Sequence, residues 1–273
     1  MKAISFELSG KTACFRKPDV NQFAYFTYNN IHKVALLGLL GAIIGLGGYT
    51  KLHYQKELLK EKIKGLKEKE KKVFEKELSK LEDKYPEFYE KLKELKISIV
   101  PLAPCGYFSK KIQVFNNSVG YASQEEGGNL IVREQWLENP AWQIMILDDG
   151  SKVYKRLKEY LLNKKSAFIP YLGKNDHPAN IDEVKEVELK RELFVIDDEI
   201  YIDSLFPKGE DLSLGWVRED IDAPEFLFQE VSPVSLQKEY HFYEYKTMIF
   251  TSKAVDPIPK DTYSYENKNY TFI

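Results

Sequence analysis

The sequence predicts an α+β fold in which helices cover one face of an antiparallel sheet. Residues 2–9 alternate between apolar and polar side chains, as the residues of a half-buried strand do. An apolar, glycine-containing helix follows over residues 34–48, and a second, short helix is predicted at 153–163 between further strands. The order strand, helix, strands, helix, strands fits a ferredoxin-like (RRM-type) domain.

The first helix is predicted to pack closely on the sheet. Its glycines, at positions 38, 41 and 45, would let the helix lie close against the sheet, and Gly47-Gly48 marks its predicted end. A membrane span is the alternative, which would make the chain a membrane-associated interaction protein. The buried helix is favoured because the apolar run is shorter than the roughly 20 residues that a bilayer requires.

Residues 51–96 are dominated by lysine and glutamate, and their apolar residues recur at intervals of three or four positions. This spacing predicts one or two amphipathic helices, broken at Pro86 because proline cannot continue a helix. One interpretation is an RNA-binding arm. A solvated helical insertion is favoured, because alternating charge makes no basic patch.

An extended hairpin is predicted within residues 97–150. Its arms are residues 112–115 and 130–132, and the loop between them is rich in the turn formers Asn and Gly. Residues 142–147 form a further predicted strand, which ends in a hairpin-type turn at Asp148-Asp149-Gly150. Paired aspartates also occur in metal sites, but a turn is the favoured interpretation of this pair.

The rest of the chain is predicted to be a short helix followed by strands. In residues 153–163 three apolar side chains share one helix face, and residues 173–175 form a turn. Residues 184–205 alternate strongly around a turn at Asp197-Asp198, and residues 240–251 form a late aromatic strand.

Composition bounds the class of protein. The chain has 273 residues, enough for one large domain or two small ones, and a formal net charge of −2. Nucleic-acid-binding proteins are usually basic, so this charge argues weakly against one but leaves room for a local basic groove. Cys14 and Cys105 lie far apart, and the N-terminus lacks a signal-peptide pattern, so a reducing cytoplasm is expected.

Polar, basic and aromatic residues lead directly into the first helix. A helix N-terminus offers unpaired backbone N–H groups and a partial positive charge, which suit a phosphate group. This arrangement predicts that the protein holds a phosphate-bearing ligand, with charged, amide and aromatic side chains around it. The residues expected to contact it are Lys11, Arg16, Lys17, Tyr28, Asn29, Asn30, His32 and Lys33.

A family resemblance is carried by residues 2–10, 14–18, 27–29, 35–46, 133–140 and 170–174. Together these segments resemble the Cas-five family of CRISPR-associated proteins in the RAMP superfamily, and most of all its type I-B Cascade subunit. The family has a ferredoxin-like fold with a long hairpin called the thumb. The resemblance therefore implies a single domain over residues 1–273, with a helical insertion at about 51–96 and the thumb at about 107–135.

The resemblance implies a non-catalytic subunit that grips the 5′ handle of a CRISPR RNA (crRNA) in a Cascade-type antiviral complex. Such a subunit would cap a filament of Cas-seven backbone subunits, contact a Cas-eight large subunit and lie near the target DNA. No cofactor, metal or membrane is implied. Arg133 and Gln135 at the base of the thumb, and Tyr171 and Lys174 in a later turn, are implied RNA contacts.

A ribonuclease is the alternative function. None of the four histidines pairs with another at metal-ligand spacing, and the sequence has no phosphate-loop motif. His32, with Tyr28 and Lys33, would instead cleave RNA by general acid–base chemistry, because RNA supplies its own 2′-hydroxyl nucleophile. This alternative is a metal-independent endoribonuclease that processes CRISPR repeat RNA.

Overall fold

The computed structural model describes residues 1–19, 23–64, 68–82, 84–116, 131–218 and 224–273. Over these residues the chain forms five α-helices and 14 strands. The helices are α1 (Lys33–Ile43), α2 (Tyr49–Lys64), α3 (Glu68–Glu82), α4 (Glu87–Leu92) and α5 (Lys152–Leu162). The strands are β1 (Lys2–Ser9), β2 (Thr12–Ala13), β3 (Ile97–Pro101), β4 (Lys110–Asn116), β5 (Ile131–Glu138), β6 (Ala141–Leu147), β7 (Asn180–Glu188), β8 (Phe206–Pro207), β9 (Ser213–Val217), β10 (Leu227–Leu236), β11 (Tyr243–Thr251), β12 (Lys253–Asp256), β13 (Thr262–Tyr265) and β14 (Lys268–Thr271).

The largest sheet has four strands in the order β3–β6–β1–β7, and every neighbouring pair is antiparallel. Ile4 of β1 lies opposite Ile146 of β6, which in turn lies opposite Ile97 of β3. All three side chains are buried in one cluster with α1 and α5. The predicted mixture of helices and antiparallel strands is confirmed.

The opposite face of this sheet is covered by strands from the end of the chain. Because neighbouring residues of a strand point to opposite faces, Ala3 and Val187 lie on the other side from Ile4. They form a second cluster with Tyr270 and Phe272 of the β13–β14 hairpin and its C-terminal extension. The sheet is therefore buried on both faces.

Helix α1 begins at a capping histidine and ends earlier than predicted. His32 Nδ1 accepts a hydrogen bond from Ala35 N–H at 3.2 Å. The helix ends at Ile43 because Gly45 takes a φ of +73°, in the left-handed region that favours glycine. The predicted end at Gly47-Gly48 is therefore too late.

Helix α4 belongs to the core, although the sequence places it in the predicted insertion. Gly38 and Gly41 of α1 face α4 and not the sheet, which corrects the prediction: a Cβ atom at Gly41 would be 2.5 Å from the Phe88 Cβ. Tyr89 and Leu92 are 3% and 0% exposed. The helix begins directly after Pro86, so the predicted break at this proline is confirmed.

Helices α2 and α3 extend from this core as an arm. They pack against each other. Leu52 is the one buried residue among the described positions of α2, and no described position of α3 is buried. Helices on both sides of Pro86 are confirmed, but the segment before Pro86 forms two helices where one was predicted. The single-domain organisation with an insertion at about 51–96 stays a prediction.

Strands β4 and β5 pair as an antiparallel hairpin. Lys110 lies opposite Leu137, and Asn116 lies opposite Ile131. The short strand β2 pairs with the other edge of β5, which gives a second sheet in the order β2–β5–β4. Residues 117–130, which hold most of the predicted turn formers, lie outside the described residues.

The predicted hairpin turn at Asp148-Asp149-Gly150 is wrong, because this segment leads from β6 into a helix. The carboxylates of Asp148 and Asp149 accept hydrogen bonds from Gly150 N–H and Ser151 N–H, both at 2.9 Å. Ser151 Oγ then caps α5 by accepting from Tyr154 N–H at 3.1 Å. The predicted helix itself agrees with α5 within one residue at each end.

The last third of the chain adds three smaller sheets: β10–β11–β8, β9 with β12, and β13 with β14. A turn at Asp197-Asp198 is confirmed, since both residues have positive φ and the flanking Ile196 and Glu199 exchange backbone hydrogen bonds. Strand β10 lies beside α1 and brings Glu230 to the loop that precedes this helix.

Candidate nucleic-acid interface

An exposed basic and aromatic surface lies along β5. Tyr25 N–H donates to the Arg133 carbonyl at 2.9 Å, and the Tyr25 carbonyl accepts from Gln135 N–H at 2.8 Å. Arg16 and Arg133 are exposed, and the Arg16 guanidinium lies 3.4 Å from the centroid of the Tyr25 ring. Stacking orients the guanidinium plane and leaves its edge available for hydrogen bonds to an anion.

Lys17 is positioned by the carboxylate of Glu230, whose side chain is only 11% exposed. Lys17 Nζ lies 3.7 Å from Glu230, whose carboxylate accepts hydrogen bonds from Asn29 N–H at 2.9 Å and Asn30 N–H at 3.4 Å. Burial raises the pKa of Glu230, although these N–H groups and Lys17 act in the opposite direction. The Lys17 ammonium also lies 5.1 Å from the centroid of the Tyr28 ring. The Lys17 ammonium therefore contacts the Glu230 carboxylate, while its side chain stays partly exposed at the surface.

The side chains of Asn29 and Asn30 are buried and face the protein. Asn29 Nδ2 donates to the Gly106 carbonyl at 2.8 Å, and Asn29 Oδ1 accepts from Phe108 N–H at 3.2 Å. Asn30 Oδ1 accepts from Trp142 Nε1 at 2.9 Å. These bonds hold the loop before α1 to the segment that leads into β4 and to β6. Both asparagines thus fix the shape of the surface on which Arg16 and Lys17 lie.

His32 and Tyr28 are buried in an aromatic environment. The ring centroids of Phe15, Tyr28 and Tyr243 lie 6.4, 5.3 and 5.4 Å from that of His32. Burial lowers the pKa of His32 to about 3, so its imidazole is neutral near pH 7. Burial also raises the pKa of Tyr28, and a hydrogen bond with Tyr245 adds to this effect.

Protein groups therefore occupy backbone donors at and just before the start of α1. His32 takes the Ala35 N–H, and Glu230 takes the N–H groups of Asn29 and Asn30. A phosphate bound to these groups would have to displace a carboxylate that is already seated there. Arg16 near this position is exposed, whereas the N–H groups of Asn29, Asn30 and Ala35 are already bonded within the protein.

Lys11 and Lys33 lie outside the Arg16–Arg133 surface. Lys11 is exposed in the loop between β1 and β2, where its carbonyl accepts from Asn139 N–H at 2.9 Å. Lys33 is the first residue of α1 and is partly buried. Burial lowers the pKa of Lys33 to about 8, and the charges of Lys96 and Lys246 add to this effect.

The remaining predicted residues have different environments. Lys174 forms an ion pair with the buried Glu134, with Nζ and Oε2 2.7 Å apart, so its charge is compensated inside the protein. Gln135 lies in β5, and its Oε1 is 3.5 Å from the Thr27 nitrogen. Tyr171 is 45% exposed. RNA contact by each predicted residue stays a prediction.

Two acidic residues that organise the surface, Glu134 and Glu230, were not predicted. Each lies on a strand far along the chain from its partner, so no local pattern links them. The one signal in the sequence for Glu230 is the alternation of inward and outward side chains along β10. Glu230 alternates with Phe228 and Ser232 on the inward face, and a carboxylate there requires an internal donor or cation.

Within the described ranges, no group of three His, Cys, Asp or Glu residues is placed to hold a metal ion. Among the helices formed by these residues, none is both long and apolar enough to span a bilayer.

The fold and the basic–aromatic surface are accompanied by a sequence match to a class of CRISPR-associated proteins. The family model Cas_Cas5d, described as CRISPR-associated protein (Cas_Cas5), matches residues 3–248. The chain therefore belongs to the Cas5 family, the RAMP-type family that the sequence resembles. No curated protein sequence matches it.

Solved structures of CRISPR proteins resemble the chain at low identity. A chain of a CRISPR RNA-guided surveillance complex is 12% identical to this chain, with a TM-score of 0.49. The match covers 93% of this chain and 91% of the other. A CRISPR protein from Archaeoglobus fulgidus is 11% identical over 99% of this chain and 98% of its own, with a TM-score of 0.47. A chain of the Type III-B Cmr-beta complex bound to cognate target RNA and AMPPnP is 10% identical over 96% and 90%, with a TM-score of 0.36. The family assignment rests on the sequence match alone.

Proposed function

We propose that this chain is a non-catalytic RNA-binding subunit of a Cascade-type CRISPR interference complex, and that it grips the 5′ handle of the crRNA. The observation that carries the proposal is the surface along β5, where Arg16 stacks on Tyr25 beside Arg133. Guanidinium groups bind phosphates through paired hydrogen bonds, and aromatic rings stack on unpaired bases. Membership of the Cas5 family supports crRNA as the ligand.

The same proposal includes a ferredoxin-like sheet and a thumb. The strand order β3–β6–β1–β7, with α1 after β1 and α5 between β6 and β7, supports the ferredoxin-like assignment. The antiparallel pairing of β4 with β5 supports these strands as the two arms of the thumb. The surface formed by Arg16, Tyr25 and Arg133 then lies on the β5 side of the thumb, where a bound RNA strand would pass.

The environment of His32 supports a binding protein over the metal-independent endoribonuclease. General acid–base catalysis requires a group that exchanges protons near neutral pH and reaches the substrate. The His32 imidazole is buried, its pKa is lowered to about 3, and its Nδ1 caps α1. In this position His32 stabilises the loop that carries Arg16 and Lys17.

Within the complex, the chain would cap the Cas-seven filament, contact the Cas-eight large subunit and lie near the target DNA. The type I-B subtype belongs to the same proposal.

The test is the affinity of the purified chain for a labelled crRNA handle. We expect Arg16→Ala and Arg133→Ala each to weaken binding about tenfold, as loss of a charge-assisted hydrogen bond worth about 1.5 kcal/mol would. Each variant should also flatten the salt dependence by about 0.7 units of slope. Arg156→Ala is the matched control, because Arg156 of α5 is also exposed and lies 5.4 Å from the Tyr160 ring centroid.

Two results would contradict the proposal. Unchanged handle affinity in both site variants would place the RNA elsewhere. RNA length is followed in the same samples with a chelator present, and intact RNA is expected. Site-specific cleavage that disappears in His32→Ala would establish the ribonuclease instead.

A further inference from the structure

Lysines from distant parts of the sequence line one groove beside the start of α1. The groove has a volume of about 1220 Å³. Lys33 comes from α1, Lys246 from β11, Lys208 from the segment after β8, and Lys260 from the segment before β13. We call this site, defined by these four residues, the lysine groove. Arg16, Tyr25 and Arg133 do not line it.

The positive charge of the lysine groove is only partly compensated by the protein, because five lysines line it against three acidic residues, Glu210, Glu244 and Asp261. Over the part of the chain that the structure describes, none of its four lysines forms an ion pair. A fifth lining lysine, Lys96, pairs with Asp261 at 2.8 Å. Of the other acidic lining residues, Glu244 accepts a hydrogen bond from Ser235, and Glu210 is exposed. An excess of ammonium groups therefore faces the groove.

The behaviour of Lys33 agrees with this excess of charge. Its pKa is lowered to about 8, first by burial and then by Lys96 and Lys246, while Glu94 acts in the opposite direction. Lysines that repel one another in the absence of a ligand gain favourable energy when an anion enters between them. Lys208, Lys246 and Lys260 are exposed, so an anion reaches them from solvent.

We propose that the lysine groove binds the phosphodiester backbone of a single-stranded nucleic acid without reading its sequence. Lysine ammonium groups bind phosphate as point charges and impose little geometry on it. Proline and aliphatic side chains make up much of the remaining lining, and the one described aromatic lining residue, Phe272, is 2% exposed. Base stacking, the usual means of gripping bases, is thus not offered here.

This inference rests on the proposed function only in taking nucleic acid as the ligand of the chain. The groove is a second contact, made by other residues than those of the handle surface along β5. The strand in it is either a further part of the crRNA or a single strand of DNA, since both carry the same backbone.

The test uses fluorescence anisotropy of the full chain with labelled oligo(U) and oligo(dT) over a range of salt concentrations. We expect Lys208→Gln combined with Lys246→Gln to weaken binding at least fivefold and to lower the salt slope by about 1.4, since single strands release about 0.7 counterions per phosphate. Lys72→Gln with Lys76→Gln on α3 removes the same charge from exposed lysines outside the groove. This control should change affinity less than twofold.

A loss for either oligonucleotide supports the proposal, and the oligonucleotide affected identifies the strand. An equal loss in the α3 control, or no loss in the groove variant, would overturn it. Displacement of the oligonucleotide by polyglutamate at equal charge concentration would also overturn it, because the groove would then be a site for acidic peptides. Unfolding by urea checks that each variant is folded.

The two proposals are distinguished by comparing variants. If Arg16→Ala and Arg133→Ala lose handle binding while the groove variant still binds the handle and the oligonucleotides, only the proposal for the lysine groove is wrong. If the arginine variants retain handle binding while the groove variant loses oligonucleotide binding, the handle site is wrong and the groove stands.

Discussion

His32 has two roles that both require a neutral imidazole. Its Nδ1 must be unprotonated to accept the Ala35 N–H, and its ring is enclosed by three aromatic rings, including that of Tyr243. A proton on this ring would break the helix cap and put a charge into a site from which water is excluded. The residue therefore couples the loop before α1 to pH.

We expect His32→Asn to make the stability of the protein less sensitive to acid. The unfolded chain takes up a proton near pH 6.5, whereas the folded pKa of His32 is about 3. Its contribution is therefore complete above pH 6.5 and is lost as the pH falls towards 3. Asparagine caps the helix without titrating, so the variant should lose less free energy of unfolding between about pH 7 and pH 4.

Urea unfolding at several pH values measures this difference. The variant is expected to be less stable at pH 7, because its buried amide gains an unpaired donor. His53→Asn is the matched control, since His53 is exposed on α2. Parallel loss of stability in wild type and His32→Asn would show that His32 does not control the acid response.

At the scale of residues, the sequence pointed to the polar and charged side chains near α1 but not to the partners that each of them contacts in the fold. Arg16 and Arg133 are exposed, as a binding role requires. Asn29, in contrast, is used inside the protein, because its partners Gly106 and Glu230 lie 77 and 201 positions away. Contacts over such distances leave no trace in local periodicity.

At the scale of elements, one carboxylate joins the connection after α1 to two helices. Glu87 at the start of α4 accepts hydrogen bonds from Lys91 at 2.7 Å, from Gly47 N–H at 3.0 Å and from Lys51 of α2 at 3.0 Å. The bond from Lys91, followed by those from Gly47 and Lys51, lowers the pKa of Glu87 to about 2. This residue fixes the base of the arm to the core.

We expect Glu87→Gln to destabilise the protein by about 0.5–1 kcal/mol near neutral pH, the upper part of the range for partly exposed ion pairs. The folded pKa lies below the ordinary value of 4.5, so the stabilisation is complete above pH 4.5 and is lost as the pH falls towards 2. The difference between variant and wild type should therefore shrink as the pH approaches 2.

Urea unfolding at pH 7 and pH 3 tests this expectation. Glu90→Gln serves as the control, because Glu90 pairs with Lys93 at 3.2 Å and its side chain is 47% exposed. An effect of Glu87→Gln that is equal at both pH values would mean that the charge of Glu87 is not the cause.

Periodicity predicted most elements correctly, and its errors have physical causes. The strands β1 and β6 and the helix α5 follow from alternation and from a helical apolar face. The turn at Asp148-Asp149-Gly150 was misassigned because aspartate side chains cap the backbone before a helix as well as within a hairpin. The core position of α4 depends on its contact with Gly41, which is a tertiary contact.

At the scale of the whole molecule, the arm of α2 and α3 is separable from the core, whereas α4 is not. A deletion that extends through α4 would remove the buried Tyr89 and Leu92 and would be expected to unfold the protein. Leu52 and Tyr85 line the same pocket at the base of the arm, so a short linker suffices between them. A replacement of residues 56–82 by a Gly-Ser linker keeps α4 intact and leaves Leu52 and Tyr85 in place.

We expect this replacement to leave handle affinity within about twofold of wild type and to weaken assembly with a neighbouring protein subunit. The apolar rows of the arm need a partner surface where the core does not cover them, and its mixed charge suits a protein better than RNA. RNA affinity of the isolated chain and copurification with the coexpressed complex measure the two effects. A large loss of RNA affinity in a folded variant would assign the arm to RNA instead.

The hydrogen bonds from Asn29 and Asn30 to Glu230 have a consequence for the order of events during translation. The ribosome completes the N-terminal 30 residues about 200 positions before it adds Glu230. Until then the loop before α1 lacks the carboxylate that accepts its N–H groups and holds Lys17. A nascent chain therefore emerges before Lys17 has its carboxylate partner, and this part of the surface is completed only when β10 docks. Under the proposed function, this late completion would delay RNA capture until most of the protein has been made.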